Sequence, residues 1–507
     1  MSREPLHGAP LILLTLGLSL GTFMQVLDTS IANVSLPAIS GDLAVSPNQG
    51  TWVITSFAVS NAIALPLTGW LSRRFGDVRL LAASTVLFTL ASLLCGLAPS
   101  LPLLIAARVL QGAVAGPMIP LSQSLLLNNY PPEKRGLALA LWSMTVIIAP
   151  ILGPILGGWI TDNINWPWIF YINLPVGMLS VFLTWTILGK RSSARHSVPI
   201  DKVGLALLVL GVGTLQIMLD KGNELDWFAS GSIAALCATA VVALSVLVVW
   251  ELTEPHPVVD LHLFARRNFL VGTTILSIGY LVFFGNVVIL PLWLQTNMGY
   301  TATWAGLATA PIGLLPVFLS AFVGKNMHKI DLRIWPTFSF AVFAAVAFWN
   351  SYFNTDVTFW QIVIPRLLMG FGVAGFFVPL TALTLSGIPP EMLASATGLS
   401  NFCRILAGSF GTSLSITLWE RRGAYHHSIL AEHVTAFDPG IGEFFGTLAT
   451  RTTTPALLEQ TLNQQAVLLA SNDIFWLSGC CFVALMLLVW LARPPRHSPV
   501  KAIAAAD

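Results

Sequence analysis

Apolar runs of about twenty residues recur some fourteen times along this chain, and each is long enough to cross the hydrocarbon core of a bilayer as a helix. Six lie near 11–36, 49–71, 79–98, 102–126, 136–160 and 167–189. Two follow near 203–220 and 229–250. The last six lie near 268–294, 303–324, 333–351, 357–385, 394–419 and 471–492. The rest of the composition agrees. Of 507 residues, 55% are hydrophobic and 9% charged, against roughly 25% charged in a soluble protein. A water-soluble fold cannot cover its surface with so few charges. The run Leu11 to Leu27 ends without a small-residue cleavage pattern and reads as a retained first span rather than a signal peptide.

Lysine and arginine are distributed unevenly between the ends of the spans. If the N-terminus is cytoplasmic, 18 of the 25 fall on the cytoplasmic side and 4 on the other. The remaining 3, Arg108, Arg366 and Arg404, lie inside spans. By the positive-inside rule both termini are then cytoplasmic. The formal net charge of +2 gives no basis for nucleic-acid binding. The five cysteines sit in apolar runs at no metal-ligand spacing, so no metal site is expected.

The chain repeats at an offset of 258. Arg108, Leu110 and Gly112 map onto Arg366, Leu368 and Gly370. Pro131-Pro132-Glu133 maps onto Pro389-Pro390-Glu391, and Gly153 onto Gly411. An intramembrane arginine and a Pro-Pro-Glu loop in one register indicate two homologous halves. The expected division is an N-terminal six-helix half over 1–200, two inserted helices over 201–255 and a C-terminal six-helix half over 256–507. The last half carries a loop at about 420–470 on the non-cytoplasmic side.

Walker A needs Gly-Lys followed by Ser or Thr. Only Lys190 and Lys325 follow a glycine, and neither precedes Ser or Thr. A pump of this sequence needs an ion gradient, with no cofactor. Asp28 is the one carboxylate well inside a span, and Arg108 can lie at similar depth. Charges in hydrocarbon are costly, so they face cavities and find partners. Asp28 and Arg108 are the candidate proton-coupling residues. Gln111, Arg404, Arg366, Phe283, Phe284 and Phe402 are candidates for substrate contact or gating. Arg404 can meet an anionic substrate group or an internal carbonyl, and Arg366 can be architectural. No His-Glu-x-x-His occurs, and Gly17-Leu18-Ser19-Leu20-Gly21 lies within the first apolar run rather than at a strand-to-helix turn, so an intramembrane enzyme is not expected.

Two motifs suit conformational change. Gly69-Trp70-Leu71-Ser72-Arg73-Arg74-Phe75-Gly76-Asp77-Val78-Arg79 is a glycine-bracketed basic turn between spans two and three. In span five, Gly153 and Gly157 share a helix face that permits close approach. Pro154 between them removes a backbone hydrogen bond, and Gly158 follows.

These motifs resemble those of the major facilitator family. The turn resembles its signature loop, except that Ser72-Arg73 stands where the family usually has Asp. Gly153-Pro154-Ile155-Leu156-Gly157-Gly158 resembles the motif of its antiporter branch. Leu27-Asp28-Thr29-Ser30-Ile31-Ala32-Asn33-Val34-Ser35-Leu36-Pro37 resembles the first-helix motif of its fourteen-helix drug:proton antiporters. Arg108-Val109-Leu110-Gln111-Gly112 resembles the family's fourth-helix motif. Gly50 to Phe57, Pro120 to Leu127 and Leu219 to Gly222 resemble the type that exports lipophilic toxic compounds from Gram-negative bacteria. The resemblance implies an all-α inner-membrane protein of the major facilitator fold, two six-helix halves plus two additional helices. It implies a proton-coupled exporter of small lipophilic compounds, working with a periplasmic adaptor protein and an outer-membrane channel. A dedicated exporter of one metabolite, such as a fatty acid or siderophore, would share every motif. Three expectations follow. The fixed charges favour lipophilic weak acids or neutral amphiphiles over dications. The Glu420 to Ala470 stretch contacts the adaptor. Drug and proton compete for one site at Asp28.

Overall fold

The computed structural model describes residues 6–191, 199–327, 329–434 and 454–493. Helices account for the architecture. Among the described residues ten are long and apolar enough to cross a membrane, or twelve if each of two bent pairs is one span. The run expected at 333–351 forms Ile334–Asn350, shorter than the rest. That expected at 394–419 is part of Leu393–His433, a 41-residue helix that does not reach the same apolar measure. A count of fourteen is compatible with these helices but is not fixed by them.

Local chemistry sets several of the boundaries. Helix α1 (Ala9–Asp42) starts after Gly8, whose φ of 66° suits glycine, and has proline in its first turn. The second span breaks into α2 (Trp52–Ala64) and α3 (Thr68–Phe75), bent by 62° around Pro66. Helix α4 (Asp77–Gly96) follows the positive-φ Gly76. The fourth span is α5 (Leu101–Ala115) and α6 (Met118–Asn129), interrupted at Gly116-Pro117. Helix α7 (Arg135–Asn163) bends by 43° between residues 150 and 155, beside Pro154. Helix α8 (Asn173–Leu188) completes the first half.

Where the inserted pair is expected stand α9 (Lys202–Lys221) and α10 (Gly231–Thr253). Asp201 caps α9 by accepting from the Val203 and Gly204 N–H groups. The second half comprises α11 (Arg267–Thr296), α12 (Ala302–Thr309), α13 (Leu314–Asn326), α14 (Ile334–Asn350), α15 (Phe359–Thr384), α16 (Leu393–His433) and α17 (Thr454–Leu488). A capping box between Thr358 and Gln361 opens α15.

Large apolar side chains cover the outside, among them Phe318, Leu487 and Val249. This is the surface of a protein solvated by lipid. Inside, one apolar cluster joins Leu14, Phe88 and Leu126 of the first half. Another joins Phe340, Phe376 and Phe482 of the second. A third collects Leu139, Leu208, Leu247, Phe269 and Leu399 from both halves and the inserted pair.

The halves meet at the end of the bundle that carries Arg73, Arg74, Lys134, Arg135 and Lys325. A Cβ on Gly69 would lie 2.7 Å from the Ser395 Cα. One on Gly136 would lie 2.5 Å from the Gly324 carbonyl oxygen. Only glycines let these backbones approach so closely. Thr397 Oγ1 donates to the Pro120 carbonyl at 3.1 Å, and Asn401 Nδ2 to Gln123 Oε1 at 2.7 Å.

In the turn between α3 and α4, Ser72 donates its hydroxyl to the Asp77 carboxylate. The acid of this turn is therefore Asp77, reached by the Ser72 that replaces the usual Asp. Arg74 lies over the Trp70 ring at 5.4 Å, and Arg79 is exposed. In α7, a Cβ on Gly157 would sit 3.2 Å from Ile31 Cγ2, and one on Gly153 would collide with Ser30, so both glycines face α1. Gly158 faces open space.

The stretch read as a loop at 420–470 differs from expectation. Helix α16 continues to His433 and α17 begins at Thr454. Arg422, His426 and Asp473 join the two helices, with His426 Nε2 2.7 Å from Asp473 Oδ2. Polar composition marked this stretch as outside the bilayer but did not prevent helix formation. Residues 435–453 lie outside the described residues.

Candidate functional site

Asp28 sits on α1 with its side chain withdrawn from solvent, and Arg108 reaches it from α5. Arg108 Nη1 donates to Asp28 Oδ2 at 2.6 Å and to Gln111 Oε1 at 2.7 Å. Gln111, one helical turn on, returns a hydrogen bond from Nε2 to Asp28 Oδ1 at 3.1 Å. Asn173 of α8 donates to the same oxygen at 2.8 Å and to Ser92 of α4 at 2.9 Å. Arg108 Nε donates to the Val53 carbonyl at 3.0 Å. The Phe57 ring lies 4.3 Å from the guanidinium carbon. Donors from α5 and α8 thus converge on the carboxylate of α1, and α2 and α4 brace those donors. Taking both charges out of water is costly, and this density of partners offsets the cost. Arg108 Nη2 has no hydrogen-bond partner among the described residues.

Between the halves lies a cavity of about 480 Å³. Its walls are mostly apolar, with Phe283, Phe284, Tyr280 and Phe377 from the second half and Phe57, Trp142 and Ile147 from the first. Its polar contacts are amides and hydroxyls such as Gln25, Asn33, Asn61 and Gln216. Arg404 is the one charged residue among those lining it. Its Nη2 donates to Asn401 Oδ1 at 2.7 Å, and its guanidinium lies 4.7 Å from the Tyr280 ring.

The expected site residues therefore separate into groups. Phe283, Phe284 and Arg404 line the cavity. Asp28, Arg108 and Gln111 form the buried cluster behind its wall. Phe402 does not line the cavity; it packs beside the cluster that contains Leu208 and Leu399. Arg366 does not line it either. It is buried on α15, and its nearest polar contact is the Met369 sulfur at 3.5 Å from Nη1. The expectation placed drug and proton at one site; in this structure Asp28 faces helix neighbours and does not line the cavity.

Sequence reading overlooked Asn173 and Phe57. A charge census cannot register either. The signal for Asn173 was a lone amide in an apolar run. Phe57 had none, since a phenylalanine in a span reads as ordinary apolar surface.

A helical bundle of two repeated halves around a central cavity, with a buried acid–base pair in one half, defines a membrane transporter fold. The Major Facilitator Superfamily model matches residues 18–412, and the chain belongs to that family. It is 55% identical over 496 residues to the multidrug export protein EmrB of Haemophilus influenzae, covering 97% of each chain. It is 53% identical over 498 residues to EmrB of Escherichia coli K12, again covering 97% of each. The fatty acid resistance protein FarB of Neisseria gonorrhoeae is 51% identical over 502 residues, covering 98% of this chain and 99% of that one. Among solved structures, the human organic anion transporter MFSD10 matches with a TM-score of 0.63 at 12% identity, over 95% of this chain and all of that one. The proton:xylose symporter XylE matches at 0.61 and 16%, over 95% of each. At such identities these two show the fold alone.

Proposed function

We propose that this protein exports small lipophilic toxic compounds across the bacterial inner membrane in exchange for protons, by rocking of its two halves. The observation that carries the reading is the pairing of a mostly apolar cavity between the halves with a buried carboxylate–guanidinium cluster just behind its wall. The cavity takes the compound and Asp28 takes the proton. No cofactor is needed, because the proton gradient supplies the energy.

The basic end is the cytoplasmic end, with both termini there. The contacts at Gly69, Gly136 and Asn401 then hold the cytoplasmic side shut, so this arrangement faces the periplasm. Rocking breaks those contacts and changes the surroundings of Asp28. Similarity to the EmrB proteins supports multidrug export. The projecting ends of α16 and α17 suit contact with a periplasmic adaptor, which joins the pump to an outer-membrane channel.

Arg404, as the one charge lining the cavity, selects lipophilic weak acids and neutral amphiphiles over permanent dications. Similarity to FarB supports a second reading, a dedicated exporter of fatty acids, whose carboxylate Arg404 would bind. A substrate panel separates a broad exporter from a narrow one.

Gradient-driven efflux in proteoliposomes tests the main reading. Asp28→Asn should bind drug but fail to concentrate it, and Asp28→Glu should keep partial coupling. If Asp28→Asn concentrates drug at the wild-type rate, the coupling carboxylate lies elsewhere.

A further inference from the structure

Because Asp28 does not face the cavity, substrate cannot displace its proton by direct contact. Something in the wall must carry the news of occupancy to the buried pair. We infer that Phe57 is that positioning residue: it lines the substrate cavity while its ring face holds the guanidinium of Arg108. The inference rests on the reading of Asp28 as the proton-coupling group.

Three observations place Phe57 in this role. It lines the cavity. Its ring centroid is 4.3 Å from the Arg108 guanidinium carbon, inside the range of a cation–π contact and shorter than the 5.7 Å to Phe170. Its helix also supplies the Val53 carbonyl that accepts from Arg108 Nε at 3.0 Å. Val53 and Phe57 are four residues apart, so they present one face of α2 to Arg108. The backbone of α5 locks this face in place. A Cβ on Gly112 would sit 3.1 Å from the Phe57 carbonyl carbon and would collide with the Ser60 hydroxyl. Arg108 and Gly112 are likewise one turn apart on α5. The guanidinium is thus seated on α2 through a close helix contact that only glycine permits.

The consequence is a competition for one guanidinium. Arg108 divides its interactions between the Asp28 carboxylate on one side and the Phe57 ring and Val53 carbonyl on the other. A compound that enters the cavity packs on the Phe57 ring and moves it. Arg108 then loses a partner that competes with Asp28, and its attraction concentrates on the carboxylate. That favours ionised Asp28, whose proton leaves to water. The reverse step, protonation of Asp28, returns Arg108 to the ring and alters the cavity wall against the compound.

The test measures proton release per bound compound in purified full-length protein. The probe is phenylnaphthylamine, a neutral lipophilic fluorophore with no proton to release near neutral pH. Its fluorescence reports binding, and a pH indicator reports release. Phe57→Leu should bind the probe within about threefold of wild type, while release per probe bound falls roughly tenfold, since a desolvated cation–π contact is lost. Phe57→Tyr keeps the ring face and should release as wild type does. Phe57→Met serves as a second ring-less variant should Phe57→Leu fold poorly. Asp28→Asn separates the two failures. If Asp28→Asn still releases protons on binding, the reading of Asp28 fails. If Asp28→Asn is silent while the ring-less variants release normally, Phe57 is ordinary wall and this inference fails.

Discussion

Arg108 and Arg366 occupy equivalent positions in the repeat, yet their surroundings differ. Arg108 has a carboxylate, an amide, a carbonyl and an aromatic face within reach. Arg366 has a thioether, and its Nε and Nη2 have no hydrogen-bond partner among the described residues. At the offset of 258, Gln111 becomes Met369 and Asp28 becomes Asn286. Asn286 donates instead to the Val282 carbonyl and to Ser478 of α17, each at 2.8 Å. Two halves with one ancestry in sequence have thus diverged in electrostatics. One holds a carboxylate–guanidinium pair; in the other, Arg366 has no carboxylate in ion-pair contact among the described residues. A fold built from repeats can assign proton chemistry to one half and leave the second to packing and gating.

The largest test of this contrast is Asp28→Leu, which leaves Arg108 buried and uncompensated. Folding stability should fall by about 3–5 kcal/mol. Thermal unfolding in detergent would show it, and an unchanged midpoint would mean that the pair is not the strong electrostatic centre of the first half. Next comes Gln111→Met, which copies Met369 into the first half. It removes the hydrogen bond donated to Asp28 and the one accepted from Arg108, and should cost at least about 1.5–3 kcal/mol. It should also shift the pH at which efflux is half-maximal, a change that loss of packing alone would not produce.

The second half should respond with the opposite sign. Arg366→Met removes unsatisfied donors from the interior and should gain about 1–2 kcal/mol. A loss as large as that of Asp28→Leu would show that Arg366 has an essential partner in the membrane. The smallest effect expected is that of Asn286→Asp, which puts a carboxylate at the register position of Asp28. That carboxylate loses the donation to the Val282 carbonyl, so a cost of about 1 kcal/mol in thermal unfolding is expected; a gain that vanishes in the Arg366→Met background would instead show an electrostatic equivalence of the halves.

Much of the fold was legible because a bilayer imposes a length and an apolar composition on every span. The repeat was legible for a similar reason. A costly arginine and a Pro-Pro-Glu turn stand out against a background of interchangeable leucines. Segments outside the bilayer lack that constraint, and the stretch at 420–470 accordingly read as loop although most of its described residues are helical. Asp28 and Arg108 could be singled out as charges in an apolar run, but direction could not. A hydropathy pattern does not say whether residue 28 faces a cavity or a neighbouring helix.

By itself, then, the sequence determined the lipid-solvated surface, the internal repeat, and which few charges lie in apolar spans. Each of these follows from the cost of moving charge and backbone out of water, which acts residue by residue. Only the tertiary structure decided that Asp28 lies behind the cavity wall, that Asn173 from α8 completes its bonding, and that Phe57 stands between the two. Those facts depend on how far one helix is rotated against another. Gly112 against α2 and Gly153 against α1 set that rotation through contacts of a few ångströms, which the apolar pattern of either helix alone leaves open.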